Sequence, residues 1–73
     1  MKPFTLVGVD GNAYSVMGYT AQALRKAGLK DLIDEMHAKA TSGGYSNLIC
    51  VCMEYIDKAN EAIRADEYDE YEE

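Results

Sequence analysis

The sequence predicts a mainly α fold, an α+β domain of three helices with one short β-strand at its N-terminus. Three observations carry this. Apolar residues recur at spacings of three and four through three separate stretches, as they do on helices with one buried face. A single run, "KPFTLVGVD" at residues 2–10, is instead dense in β-formers: Phe4, Thr5, Leu6, Val7 and Val9. At 73 residues the chain is also one small domain, and with a single clear strand signal it cannot contain a βαβ unit.

The strand runs into Asp10-Gly11-Asn12, which reads either as a hairpin tip or as a helix start. As a hairpin, residues 12–17 would present the faces Asn12/Tyr14/Val16 and Ala13/Ser15/Met17, neither cleanly apolar. As a helix, Ala13, Val16, Met17, Thr20, Ala21, Leu24 and Ala27 fall on one stripe, with Asn12 as N-cap and Gly28 just past the end. The helix is favoured, and Asp-Gly keeps the hairpin as its alternative. Gly18 costs about 1 kcal/mol inside a helix, so it is expected to mark a close approach by another element.

The second helix spans about residues 30–40, with Leu29, Leu32, Ile33, Met36 and Ala40 inward. Asp31, Asp34 and Glu35 at its start and Lys39 at its end suit the helix dipole. His37, the lone histidine, reads as a surface or boundary residue. "TSGGYSN" then marks a loop. A third helix runs from Tyr45 or Ser46 to beyond Ile63 on the stripe Leu48, Ile49, Cys52, Tyr55, Ile56, Ala59 and Ile63. Val51 and Met53 lie off that stripe, so this helix is apolar on more than one side and is expected at the centre or at a subunit contact.

A lone strand has no partner within a three-helix chain, and its backbone groups need one. Together with a modest core and the surplus apolar surface of the third helix, this predicts a homo-oligomer, with the strand paired between subunits.

The net charge of −6 divides unevenly. Residues 1–65 carry seven acids and seven bases, so the domain is neutral and the whole excess lies in a tail, residues 66–73, "DEYDEYEE". Such a tail is expected to be a solvated extension. Its functional reading is a lure for a basic surface, with Tyr68 and Tyr71 as anchors. Cys50 and Cys52, two apart on a helix, point to different faces; they close no disulfide with each other and form no zinc knuckle. They read as small apolar fillers. Reduced thiols and the lack of a signal peptide point to the cytoplasm. No apolar run approaches the roughly 20 residues of a membrane span.

No catalytic constellation is present: no Cys-His pair at a workable spacing, no nucleophile elbow, no P-loop and no paired metal ligands. The chain therefore reads as non-enzymatic, without cofactor or metal. Two segments are suited to an anion. Gly11, Asn12, Ala13 and Tyr14 open the first helix, and Ser42, Gly43, Gly44 and Tyr45 open the third. Each joins glycine, polar side chains and free N–H groups at the positive end of a helix dipole. Tyr14 and Tyr45 would stack on a base. Arg25 and Lys26, with Lys30, form a basic cluster at the far end of the first helix, about 20 Å from Asn12 along its axis. They would reach the ligand only across a subunit contact. Taken alone, each of these features is better accounted for by ordinary capping and solvated lysines.

"VDGNAYSVMGYTAQALRKAG" and "ATSGGYSNLICVCMEYID" together resemble a family of very small proteins carried by bacteriophages and other bacterial mobile elements. The shared pattern is a D-G-N-A start, a basic alanine-rich helix, and an S-G-[DG]-Y step into a Leu/Met-rich helix. It covers most of residues 6–57 and omits the tail; Gly44 stands where an aspartate is expected. The resemblance implies a phage-type setting, in which small proteins counter host defence in two ways. One is a sponge that sequesters a cyclic nucleotide signal at the glycine-rich helix starts. The other is an inhibitor or adaptor that grips a host defence protein through the acidic tail and an apolar patch. Neither a membrane nor direct nucleic-acid binding is expected.

Overall fold

The computed structural model describes residues 2–72, with side chains described through Asp66. Three helices follow in order: α1, Ala13–Lys26; α2, Ile33–Ala40; and α3, Tyr45–Glu72. A short 3₁₀ turn, Lys30–Leu32, leads into α2. Both α1 and α2 pack on α3 and touch each other, so α3 is the central helix expected from its apolar breadth.

Asp10-Gly11-Asn12 resolves as a helix start. The Asn12 side chain accepts from the N–H groups of Tyr14 at 2.8 Å and Ser15 at 3.4 Å, while Asp10 Oδ1 accepts from Asn12 N–H at 3.2 Å. The two polar side chains thus stop the extended segment and cap the helix in succession. At its other end, Gly28 at φ +78° lets the chain reverse. Its N–H donates to Arg25 O at 3.1 Å and that of Leu29 to Leu24 O at 2.8 Å, the paired bonds of a Schellman end. Only Leu29 separates this cap from the 3₁₀ turn, so regular α-helix begins at Ile33 instead of residue 30.

The core is formed by the three stripes. Val16, Met17, Ala21 and Leu24 of α1, Met36 and Ala40 of α2, and Leu48, Cys52, Tyr55, Ile56 and Ala59 of α3 are buried. Ala23, absent from the expected α1 stripe, is buried with them. Thr20 is the buried polar residue, and its hydroxyl donates to Val16 O at 2.8 Å. Tyr55 is wholly buried, yet its hydroxyl reaches Glu35 Oε2 at 2.6 Å. The Lys39 and Lys58 ammonium groups lie 5.7 and 5.8 Å from its ring centre, each within cation–π range. Cys50 is exposed and Cys52 buried, both free thiols on different faces of α3.

Two expectations are corrected. Among the described residues there is no strand. The β-former run is broken by a turn at Leu6–Val9, in which Val9 N–H donates to Leu6 O at 3.0 Å and Gly8 takes φ +86°. A type II turn needs that positive φ at its third position. The extended part in front of the turn finds partners within the chain. Phe4 N–H donates to Asn60 Oδ1 at 2.7 Å, and Asn60 Nδ2 donates back to Phe4 O at 3.0 Å. Thr5 N–H donates to the Tyr19 hydroxyl at 3.0 Å and Val7 N–H to Thr5 Oγ1 at 3.1 Å. One carboxamide thus stands in for the rung that a neighbouring strand would supply, and pairing between subunits is not needed to satisfy these groups. The second correction concerns Gly18, which is exposed; a Cβ built there meets nothing within 4 Å. No element approaches it closely.

The backbone of α3 runs on through Glu72, into the acidic residues 66–73. The side chains of residues 67–73, Tyr68 and Tyr71 included, lie outside the described residues.

Gly18→Ala should therefore stabilise the fold by up to about 1 kcal/mol, read as a melting temperature raised by about 4–8 °C per kcal/mol for a domain of this size. An unchanged or lower value would show a constraint at Gly18 that the packing does not reveal. Burial, and then the bond to Glu35, push the Tyr55 hydroxyl above its ordinary value of 10.0, against the opposing charge of Lys39. A group with a raised folded-state pKa contributes stability that is complete below its unfolded value and is lost as pH rises through the folded one. Melting temperature should accordingly fall above pH 10, and Tyr55→Phe should flatten part of that fall in a thermal series from pH 8 to 12.

Candidate functional site

The two glycine-containing helix starts, remote in sequence, meet at one end of the bundle. The Tyr45 hydroxyl, at the first position of α3, donates to Gly11 O in front of α1, a hydrogen bond spanning 34 residues. A Cβ built on Gly11 would sit 3.4 Å from that hydroxyl, ordinary contact, so glycine here is not required by crowding alone. Beside this bond opens a cleft of about 400 Å³, lined by Ala13, Tyr14 and Met17 of α1, Ala40 of α2, Thr41, Gly43 and Gly44 of the loop, and Tyr45 and Leu48 of α3. Tyr14 and Tyr45 stand at 82% and 51% exposure, so each offers most of an aromatic face to whatever enters.

The loop over the cleft owes its shape to the end of α2. Thr41 Oγ1 donates to His37 O at 2.7 Å and Ser42 Oγ to Lys39 O at 2.7 Å. Asn47 Nδ2 donates to Lys39 O at 2.9 Å. All three add a side-chain donor to carbonyls in the last turn of α2 that already accept from backbone N–H groups, and Asn47 ties the start of α3 to that turn. Gly43 fits beneath Asn47: a Cβ there would lie 3.0 Å from Asn47 Cβ and 3.3 Å from its Nδ2. Gly44 precedes α3, and its carbonyl accepts from Leu48 N–H at 3.0 Å.

Of the ten residues expected to hold a ligand, Ala13, Tyr14, Gly43, Gly44 and Tyr45 line this cleft, and Gly11 is tied to it through Tyr45. Asn12 and Ser42 are engaged otherwise. Asn12 caps α1, and Ser42 donates into α2. The N-terminus of α1 is therefore largely satisfied by its own side chain and carries the Asp10 carboxylate beside it, which weakens its appeal to an anion. Arg25 lies at the opposite end of α1, in a separate cleft of about 490 Å³ with Lys30, Asp31, Ile33 and Asp34. Lys26 is its neighbour in the last turn of the helix. Neither joins the tyrosine cleft within one chain, and two aspartates line the other cleft together with Arg25 and Lys30.

Residues that the sequence reading did not place in the site are Met17, Ala40, Thr41 and Leu48. Three of them belong to the core stripes, and the signal that could have found them is their position in the terminal turns, where a stripe runs out into solvent. Among the described residues no group of His, Cys, Asp and Glu is arranged to hold a metal ion. None of their helices is long and apolar enough to cross a membrane.

No family model, no curated protein and no solved structure matches this chain.

Tyr45→Phe keeps the ring and removes the bond to Gly11. A loss of roughly 0.5–1.5 kcal/mol in urea unfolding is expected from one such hydrogen bond. Full retention of stability would mean that the two helix starts are held together by the core alone.

Proposed function

We propose that this chain is a non-enzymatic binding protein that sequesters a small anionic nucleotide, of the cyclic kind used as a defence signal, in the cleft between Tyr14 and Tyr45. The observation that carries the reading is the meeting of two glycine-rich helix starts, far apart in sequence, beside one cleft with two exposed tyrosines. A volume of about 400 Å³ lies within the range of roughly 300–1,000 Å³ usual for small-ligand sites. Its largely apolar lining with aromatic walls suits a planar base. The phosphate would lie toward Gly43, Gly44 and the first turn of α3, where the dipole favours negative charge. The positive charge that the cleft lacks would come from Arg25 and Lys26 of a neighbouring copy. Such a sponge fits a phage-type protein acting in the cytoplasm of a bacterial host and countering its defence.

A second reading, an inhibitor or adaptor that binds a host defence protein, draws support from another face of the molecule. Val7 and Met53 are large apolar residues at 85% and 55% exposure. They flank an apolar groove of about 440 Å³ that also includes Phe4, Leu6, Ile49 and Ile56.

The test is thermal stability against a panel of cyclic di- and trinucleotides and cyclic ADP-ribose isomers. A true ligand at a hundredfold excess over its Kd contributes about 2.7 kcal/mol, enough to raise the melting temperature by roughly 10 °C or more. The ligand should be released unaltered on denaturation. Tyr14→Ala should abolish the rise while leaving the ligand-free melting temperature unchanged, since Tyr14 is mostly exposed. No rise with any member of the panel, or recovery of a cleaved ligand, would refute the sponge reading.

A further inference from the structure

We infer that Asn60 of α3 and Tyr19 of α1 form a recognition site for an extended peptide. The chain's own residues 4–7 occupy it as a strap, which can leave while the helices stay folded. This does not depend on the sponge reading, since none of these residues lines the tyrosine cleft. A carboxamide presents a donor and an acceptor side by side, as a backbone peptide unit does. Asn60 uses both on Phe4, accepting from its N–H at 2.7 Å and donating to its carbonyl at 3.0 Å. Residues paired across an antiparallel ladder make the same exchange, so Asn60 reads the backbone of what it holds and not the side chains. The Tyr19 hydroxyl extends the contact by accepting from Thr5 N–H at 3.0 Å.

The side chains of the strap alternate as those of a bound strand do. Phe4 and Leu6 are half-buried and pack against the core, while Thr5 and Val7 are exposed. Backbone bonds supply affinity and alternate side-chain seats supply selectivity when a folded domain takes up an extended peptide. The ligand class is therefore a peptide with an aromatic and an aliphatic residue two apart. The seat does not need its occupant. Asn60 follows Ala59 and Tyr19 precedes Thr20, both wholly buried, so the bundle itself fixes the two partners. The tether is equally separable. Gly8 turns the chain at φ +86°, and beyond it the bonds of Asp10 to Asn12 and of Tyr45 to Gly11 hold the start of α1 without residues 4–7. Departure of the strap at Gly8 breaks the three hydrogen bonds to Asn60 and Tyr19 and leaves the seat open to a peptide in trans.

Native-state hydrogen exchange on the full chain tests the strap. The Phe4 and Thr5 amides should be protected about a hundredfold less than those of Leu24 and Tyr55, through an opening that leaves the helices formed. Equal protection of all four, set by global unfolding, would overturn the inference. The seat is tested by adding the capped peptide KPFTLV, the sequence of residues 2–7, to a full chain carrying Phe4→Asp, which weakens the strap in cis. The peptide should shift the side-chain NMR signals of Tyr19 and Asn60 saturably, and a peptide with serine in place of both Phe4 and Leu6 should not. Asn60→Ala added to that chain should weaken binding about tenfold or more, the effect of two lost hydrogen bonds, followed at Tyr19. Leu6→Asp gives the same measurement if Phe4→Asp alters the circular dichroism spectrum. No saturable shift, equal binding of the serine peptide, or binding indifferent to Asn60→Ala would each overturn the site.

Discussion

Helices α1 and α2 are both laid against α3, and Tyr55 is where that constraint is sharpest. Its ring fills the centre of the bundle, while its hydroxyl has to leave the apolar interior and find a partner. Glu35 on α2 supplies one at 2.6 Å, and two lysines flank the ring. This one side chain therefore fixes α2 against α3 through both apolar and polar contact. With α2 placed, the loop Thr41–Gly44 has little freedom, because the hydroxyls of Thr41 and Ser42 and the Asn47 amide all close back onto the last turn of α2. The start of α3 is thus set by packing some distance away from it.

The cleft follows from that geometry. Once α3 begins beside the end of α2, its first residue stands level with the start of α1, and the Tyr45 hydroxyl meets Gly11 O. Two segments that look like independent anion sites become the walls of one space. Their equivalence is lost in the process. Asn12 takes up donors at α1, whereas α3 opens from Gly44, whose carbonyl accepts from Leu48 N–H. The structure therefore gives the two starts different work, with polarity concentrated at α3 and aromatic surface shared by both.

Much of the fold was legible in the sequence because helix periodicity reports burial directly. The stripes through Val16, Met17, Ala21 and Leu24, through Met36 and Ala40, and through Leu48, Cys52, Tyr55 and Ile56 are the observed core. Asn12 and Gly28 announced the ends of α1 through backbone chemistry that is local and so readable. The N-terminal segment misled for the opposite reason. Its β-formers suggest a strand, but Gly8 turns the chain, and the partner of Phe4 is a side chain 56 residues away. No local pattern encodes an Asn60 carboxamide acting as a strand. Gly18 misled likewise, since a helical glycine with open space around it looks in sequence like one under a close neighbour. The candidate site was half legible. Composition pointed to Gly11–Tyr14 and Ser42–Tyr45, whereas their junction, and the exclusion of Arg25 and Lys26 from it, are consequences of tertiary packing.

A sponge of this kind requires Tyr14 and the Gly43–Tyr45 turn to form a single ligand cleft. An amide-resolved NMR titration of the full chain with each cyclic nucleotide tests it most directly. One of them should shift the signals of Tyr14, Gly43, Gly44 and Tyr45 together, saturably and with one binding constant. Shifts confined to the Arg25 and Lys30 end, or none across the whole series, would contradict it.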